Sequence, residues 1–163
     1  VRDQLDPALP LYVEYSNEVW NEIFKQAAHA REEGLRLGLS SDPFEAQLKY
    51  HGQRSSEAIA TFRRVFGADP KRVKGVFAGQ AENPWTVDVV LSSQQARDNA
   101  DLIAIAPYFG YSYGTPERAK DVSRWSLDRL FSELEKDVAG RTRDMMREVK
   151  PPPPKMSFIT ERA

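Results

Sequence analysis

Apolar residues along this chain fall into short runs, separated by longer stretches in which they recur every three or four positions. A run of four to eight bounded by turn-forming residues reads as a buried strand, and the 3.6-residue recurrence as an amphipathic helix. Strands are predicted at Leu11 to Ser16, Val73 to Gly79, Leu102 to Pro107 and Met156 to Thr160. A first helix is predicted over Val19 to Glu33, stopped by Gly34 in a left-handed cap. The second opens at "SDPFEAQ", where Asp42 can cap, Pro43 takes the first helical position and Glu45 has capping-box spacing. Its Leu48, Ile59, Phe62, Val65 and Phe66 are helically spaced, and Gly67 ends it. A third helix starts near Asn83-Pro84. The longest, from about Pro116 to Val149, is expected to bury Trp125, Leu127, Leu130, Phe131, Leu134 and Val138, with Gly140 its weak point.

Strands that alternate with helices, without a two-residue hairpin, imply right-handed crossovers and a parallel sheet, an α/β architecture. No internal repeat or domain boundary interrupts residues 1–163. Pro151 to Pro154 cannot be helical and should form a stiff spacer of about 12 Å, at roughly 3.1 Å per residue. It is either a rigid helix-to-strand connection or a docking segment for a proline-reading domain. Within the first strand Leu11, Val13 and Tyr15 share one face, and Tyr12, Glu14 and Ser16 the other. Glu18 joins the second set if the extended conformation persists.

Composition narrows the functions. The 40% hydrophobic and 29% charged residues suit one soluble globular unit with a real core. With 23 basic and 24 acidic residues interspersed, no long-range field favours nucleic acid or an anionic membrane. No apolar run approaches the roughly 18 residues of a membrane span. Cysteine is absent, so disulfides and thiolate metal sites are excluded, and the two histidines, His29 and His51, are too few for a typical zinc site. Both are expected at the surface of helices. With no Gly-rich phosphate loop, Gly-x-Ser-x-Gly elbow or HExxH, neither metal nor cofactor is expected.

An acidic strand end beside aromatic residues calls for a chemical reason. "YVEYSNEVWN" resembles the fourth strand of the large clan of retaining glycoside hydrolases built on (β/α)8 barrels, where an Asn-Glu pair ends that strand. "VKGVFAGQ" resembles the fifth strand, "ADLIAIAPYFG" the sixth, and the Trp125 helix the one that follows. The resemblance implies a partial TIM (β/α)8 barrel with about four parallel strands, covering roughly strands four to seven. It implies Glu18 as general acid/base and a parent enzyme acting on β-linked oligo- or polysaccharide.

Retention needs a second carboxyl about 5 to 5.5 Å away. In "KMSFITERA" Glu161 ends a strand with inward parity and is the candidate nucleophile. Thr160 before it and Arg162-Ala163 after it depart from the clan's pattern, so a solvated charge remains the competing reading. Tyr108 is expected to hold that carboxylate ionised. Asn17, Trp20, Gln80, Trp85, Tyr108 and Tyr111 stand at or just after strand ends, where rings can cover pyranose faces and amides can bond hydroxyls; packing is the alternative role for the rings.

A complete barrel takes about 250 residues and eight strands. The 163 residues, which begin at Val1, are therefore expected to be part of a longer protein, and a missing leader says nothing about secretion. The isolated chain is expected to be inactive. A second reading is a catalytically silent, barrel-derived module that binds carbohydrate or a partner chain. A third is an unrelated small α/β domain with a chance motif. The expected partner is a carbohydrate, with no nucleic acid and no membrane, and the oligomeric state is open.

Overall fold

The computed structural model describes residues 2–16, 18–106, 108–148 and 157–160. The spacer expected at Pro151 to Pro154 lies outside them. Four strands, β1 (Leu11–Glu14), β2 (Val73–Ala78), β3 (Leu102–Ile105) and β4 (Ser157–Thr160), form one sheet in the order β1-β2-β3-β4. Every neighbouring pair is parallel, with Leu11 beside Val73, Val76 beside Leu102, and Leu102 beside Ser157. β1 and β4 are the two edge strands.

These edges do not pair with each other, so the sheet is open. Closure into a barrel needs enough tilted, staggered strands for the last to meet the first. The partial-barrel expectation is therefore corrected to a small α/β fold around an open parallel sheet.

The helices are α1 (Lys25–Arg36), α2 (Pro43–Phe66), α3 (Trp85–Val90), α4 (Gln94–Asn99), α5 (Pro116–Val122) and α6 (Leu127–Glu148). At α2 the local signals suffice. The Asp42 side chain accepts from the Glu45 N–H at 2.7 Å, Pro43 sits in the first turn, and Gly67 ends the helix at φ 54°. α1 begins at Lys25, later than its apolar pattern suggests, because residues before it are held in turns. The Asn21 N–H donates to the Glu18 carbonyl at 2.9 Å, and the Phe24 N–H to the Asn21 carbonyl at 3.2 Å.

Gly34 does not stop α1. It lies inside the helix, where a Cβ would stand 2.2 Å from the Ala46 carbonyl oxygen of α2. The long helix expected from Pro116 breaks at Ser123–Ser126. α6 is also less buried than its pattern predicts, with Leu127 70% and Phe131 61% exposed.

Val13, Val73, Phe77, Ile103 and Ile105 pack on Leu48, Ile59 and Phe66 of α2, Val87 and Val90 of α3 and Ala96 of α4. The opposite face carries smaller residues, Val76, Ala78 and Ala104, against Trp20 and Leu102. This is the alternation that the first strand predicts, with Val13 buried and Tyr12 exposed. Among the described residues no helix is long and apolar enough to cross a membrane.

His51 overturns its surface assignment. It is 1% exposed in the middle of α2, and burial alone pushes its pKa down from the ordinary 6.5 to about 4. His29 stays exposed on α1, edge-on to Tyr50 at 5.8 Å.

Two outcomes follow from this packing. Gly34→Ala should lower stability by about 1 to 3 kcal/mol through overpacking on Ala46, against the roughly 1 kcal/mol that helix propensity alone would add; urea unfolding measures the sign. For His51 the unfolded chain takes up a proton first. Its contribution to stability is therefore whole above about pH 6.5 and is lost as pH falls toward 4. The loss should reach roughly 3 kcal/mol, and His51→Gln should flatten that part of the stability–pH curve.

Candidate functional site

The site forms where β1, β2 and β3 end at the same side of the sheet. After Glu14 the chain leaves β1 through two left-handed residues, Ser16 at φ 62° and Glu18 at φ 47°. Left-handed backbone costs a non-glycine residue roughly 1 kcal/mol or more, so both must be held by their surroundings. The extended run ends there, and Glu18 reaches the small-residue face of the sheet by a turn. Asn21 closes that turn through its backbone, and the buried Gln47 Nε2 of α2 donates to the Val19 carbonyl at 2.5 Å.

The β2 exit is fixed by Thr86, which is fully buried. Its hydroxyl accepts from the Gln80 N–H at 2.9 Å and donates to the Asn83 carbonyl at 2.8 Å. The Gly79 N–H donates to the Ala104 carbonyl at 3.1 Å, which keeps the exits of β2 and β3 in register.

Between these exits lies an open cleft of about 320 Å³, lined by Trp20, Asn21, Gln80, Ala81, Ala106 and Tyr108. Glu22 stands on its wall and is paired with Arg31 at 3.0 Å. A recess of about 10 Å³ adjoins it, where Glu18 and Glu14 meet Ala78 and Ala104.

The half-buried Glu18 carboxylate is the polar centre of this region. Its Oε1 accepts from the Tyr108 hydroxyl at 3.0 Å and its Oε2 from Asn21 Nδ2 at 3.1 Å. Each oxygen keeps a free acceptor direction. The bond to Glu18, with burial and the carboxylate's charge behind it, raises the Tyr108 phenol above the ordinary tyrosine value of 10.

Glu18, Trp20, Gln80 and Tyr108 are thus brought together from three strand exits. Trp85 is not. It opens α3 and faces Phe44 of α2, with ring centroids 5.8 Å apart, away from the cleft lining. Tyr111 opens a 3-10 turn, Tyr111–Gly114. Asn17 and Glu161 lie outside the described residues. The Tyr108 hydroxyl, expected to serve Glu161, is given to Glu18 instead.

Sequence reasoning did not assign Asn21 or Thr86 to the site. Asn21 stands three residues after Glu18, the spacing of one helical turn, and that spacing is the signal that could have found it. Thr86 acts from within α3 and has no such local signature.

No protein-family model matches the chain, and neither a curated protein nor a solved structure matches it. Among the described residues no group of three or more His, Asp or Glu could hold a metal ion. The glycoside hydrolase assignment drawn from the resemblance is corrected on these findings. The open sheet lacks the closed ring of strand ends that supports that clan's catalytic centre, and the chain matches no member of it. The local arrangement offers a hydrogen-bonding carboxylate, amide groups and two aromatic faces around an open cleft.

The Glu18–Tyr108 bond can be checked in solution. With tyrosine labelled at the ring carbon bearing the hydroxyl, Tyr108 should ionise above 10 in the native protein. In Glu18→Gln it should fall back toward the ordinary value, since both the carboxylate acceptor and its charge are gone.

Proposed function

We propose that the cleft at the carboxyl ends of β1 to β3 binds a neutral saccharide. The observation that carries this reading is the convergence of Trp20, Gln80 and Tyr108 on one open cavity of about 320 Å³, with Glu18 bonded to Tyr108 from the adjoining recess. Small-molecule sites span about 300–1,000 Å³ and combine apolar walls with a few placed polar groups.

A sugar ring offers what these groups accept. Its C–H faces pack on flat aromatic rings, and its hydroxyls both donate and accept. Trp20 supplies a ring, and Tyr108, 60% exposed, supplies a second with its hydroxyl tethered inward to Glu18. Glu18 takes hydroxyl donors on its open lone pairs, and the Gln80 amide serves donor and acceptor groups alike. With the Glu18 carboxylate in the adjoining recess, an acidic sugar would meet like charge, so the preferred ligand is neutral.

The test is tryptophan fluorescence during titration with a panel of neutral oligosaccharides. A saturable change is expected in the wild-type chain, absent in Trp20→Ala and retained in Trp85→Ala. Tyr108→Ala should weaken binding about tenfold, the equivalent of roughly 1.4 kcal/mol. A wild-type chain that stays silent to millimolar sugar, or a response carried entirely by Trp85, would overturn the reading.

A further inference from the structure

Behind the β1 exit, α2 presents a row of polar side chains one turn apart, Gln47, His51 and Ser55, all at 1% exposure or less. Such a row in a core helix is unusual, because buried polar groups normally find partners. Gln47 spends its amide N–H on the Val19 carbonyl, next to Glu18. Its Oε1, both ring nitrogens of His51 and the Ser55 hydroxyl find no partner among the described residues. The His51 ring faces Tyr15, with centroids 6.3 Å apart, at the residue where the chain leaves β1. The row therefore lies under Tyr15 and Val19, on either side of Glu18 and next to Trp20.

We propose that His51 is a pH-sensitive positioning residue of the cleft: neutral, it seats Tyr15 and the turn at residues 18–21, and protonated, it releases them and with them Glu18 and Trp20. The inference rests on the reading of the cleft as a ligand site.

Among the described residues the row offers an imidazolium neutral acceptors, Gln47 Oε1 and the Ser55 hydroxyl, and no ion-pair partner. From the β1 exit the ring meets Tyr15, itself covered by the Arg54 guanidinium at 6.0 Å from its centroid, and a second cation there is repulsive. On α2 the nearest ionisable groups are Tyr50, Arg54 and Glu57, and Glu57 is already paired with Arg54. α1 brings His29, which meets Tyr50. α3 approaches at Gly52 through Val90, and its one acid, Asp88, is exposed. α4 and the 3-10 turn Pro70–Arg72 meet α2 further along, through Asn99 on Arg63 and Arg72 on Phe66. On β2 the helix-facing residues are Val73, Gly75 and Phe77, with Lys74 on the other side.

Among the described residues no carboxylate offsets the burial that disfavours the charged ring. The cheapest relief is local. The segment above His51 already holds two left-handed residues, so moving it exposes the ring and relaxes the backbone together. The core between α2 and the sheet can stay closed.

The test follows 5-fluorotryptophan resonances of the intact chain from pH 7.5 to 3.5, with Trp20 identified by Trp20→Phe. The Trp20 signal should shift with the same midpoint as the His51 ring proton, while Trp85, Trp125 and the far-UV circular dichroism hold steady. In His51→Gln the Trp20 signal should stay flat. A Trp20 transition that survives His51→Gln, a His51 titration that leaves Trp20 unmoved, or all three tryptophans moving together would overturn the proposal. If His51→Gln does not fold, agreement or disagreement of the two wild-type midpoints decides.

Sugar affinity should fall about tenfold one pH unit below that midpoint, as the competent fraction falls. Loss of sugar binding at every pH, with Trp20 still following His51, would remove the ligand reading and leave the switch. Binding whose pH profile is the same in His51→Gln would remove the switch and leave the site.

Discussion

Three backbone contacts in this fold leave no room for a side chain. A Cβ at Gly34 would lie 2.2 Å from the Ala46 carbonyl oxygen, one at Gly52 2.2 Å from that of Val90, and one at Gly75 2.0 Å from that of Asn99. They join α1 to α2, α3 to α2, and β2 to the end of α4. The first two set how closely the helices approach one another, and the third how closely α4 approaches the sheet, at distances that only hydrogen on Cα permits. Within that frame Leu48 and Ile59 join Phe77 and Ile103 in one core, and Gln47 reaches the Val19 carbonyl. The strand exits therefore inherit their positions from packing on the far side of the sheet.

Much of the fold was legible in residues with strong local signatures. The Asp42-Pro43-Glu45 start of α2 and its Gly67 stop are dictated by capping chemistry within a few residues. The buried strands show as short β-branched runs, and the parity of Leu11 to Glu14 tells which face meets the helices. Elsewhere the outcome depends on contacts distant in sequence. Gly34 looks like a helix stop from its neighbours alone, yet Ala46 makes it an interior residue. His51 looks like an ordinary helical surface residue, yet α2 lies against the sheet there. Phe131 and Leu127 have the spacing of buried positions, but no described element covers them.

The candidate site shows the same division. A strand ending in an acid near an aromatic ring was visible, and Glu18, Trp20, Gln80 and Tyr108 do converge. The likeness to a barrel enzyme rested on strand-end motifs, which encode how a chain leaves a strand. Closure of a sheet is a property of strand number and stagger, and no short motif carries it. The turn that presents Glu18 was equally hidden, because two left-handed residues that are not glycine announce nothing in the sequence.

Beyond the β3 exit the break between α5 and α6 is held by stacked rings and guanidinium groups. Trp125 meets Tyr113 at 5.6 Å, donates to Asp121 at 3.1 Å, and lies under two guanidinium groups, Arg129 at 4.3 Å and Arg118 at 5.9 Å. Exposed ion pairs such as Arg36–Glu33 fade in brine, where screening acts within about 3 Å at molar ionic strength. Stacked rings and guanidinium planes are in contact and shed apolar surface from water, an effect that sulfate or phosphate strengthens. This joint is thus salt-tolerant: as concentrated electrolyte weakens the charge pairs on α1 and α2, the elbow at Trp125 becomes comparatively the firmest part of the exposed surface.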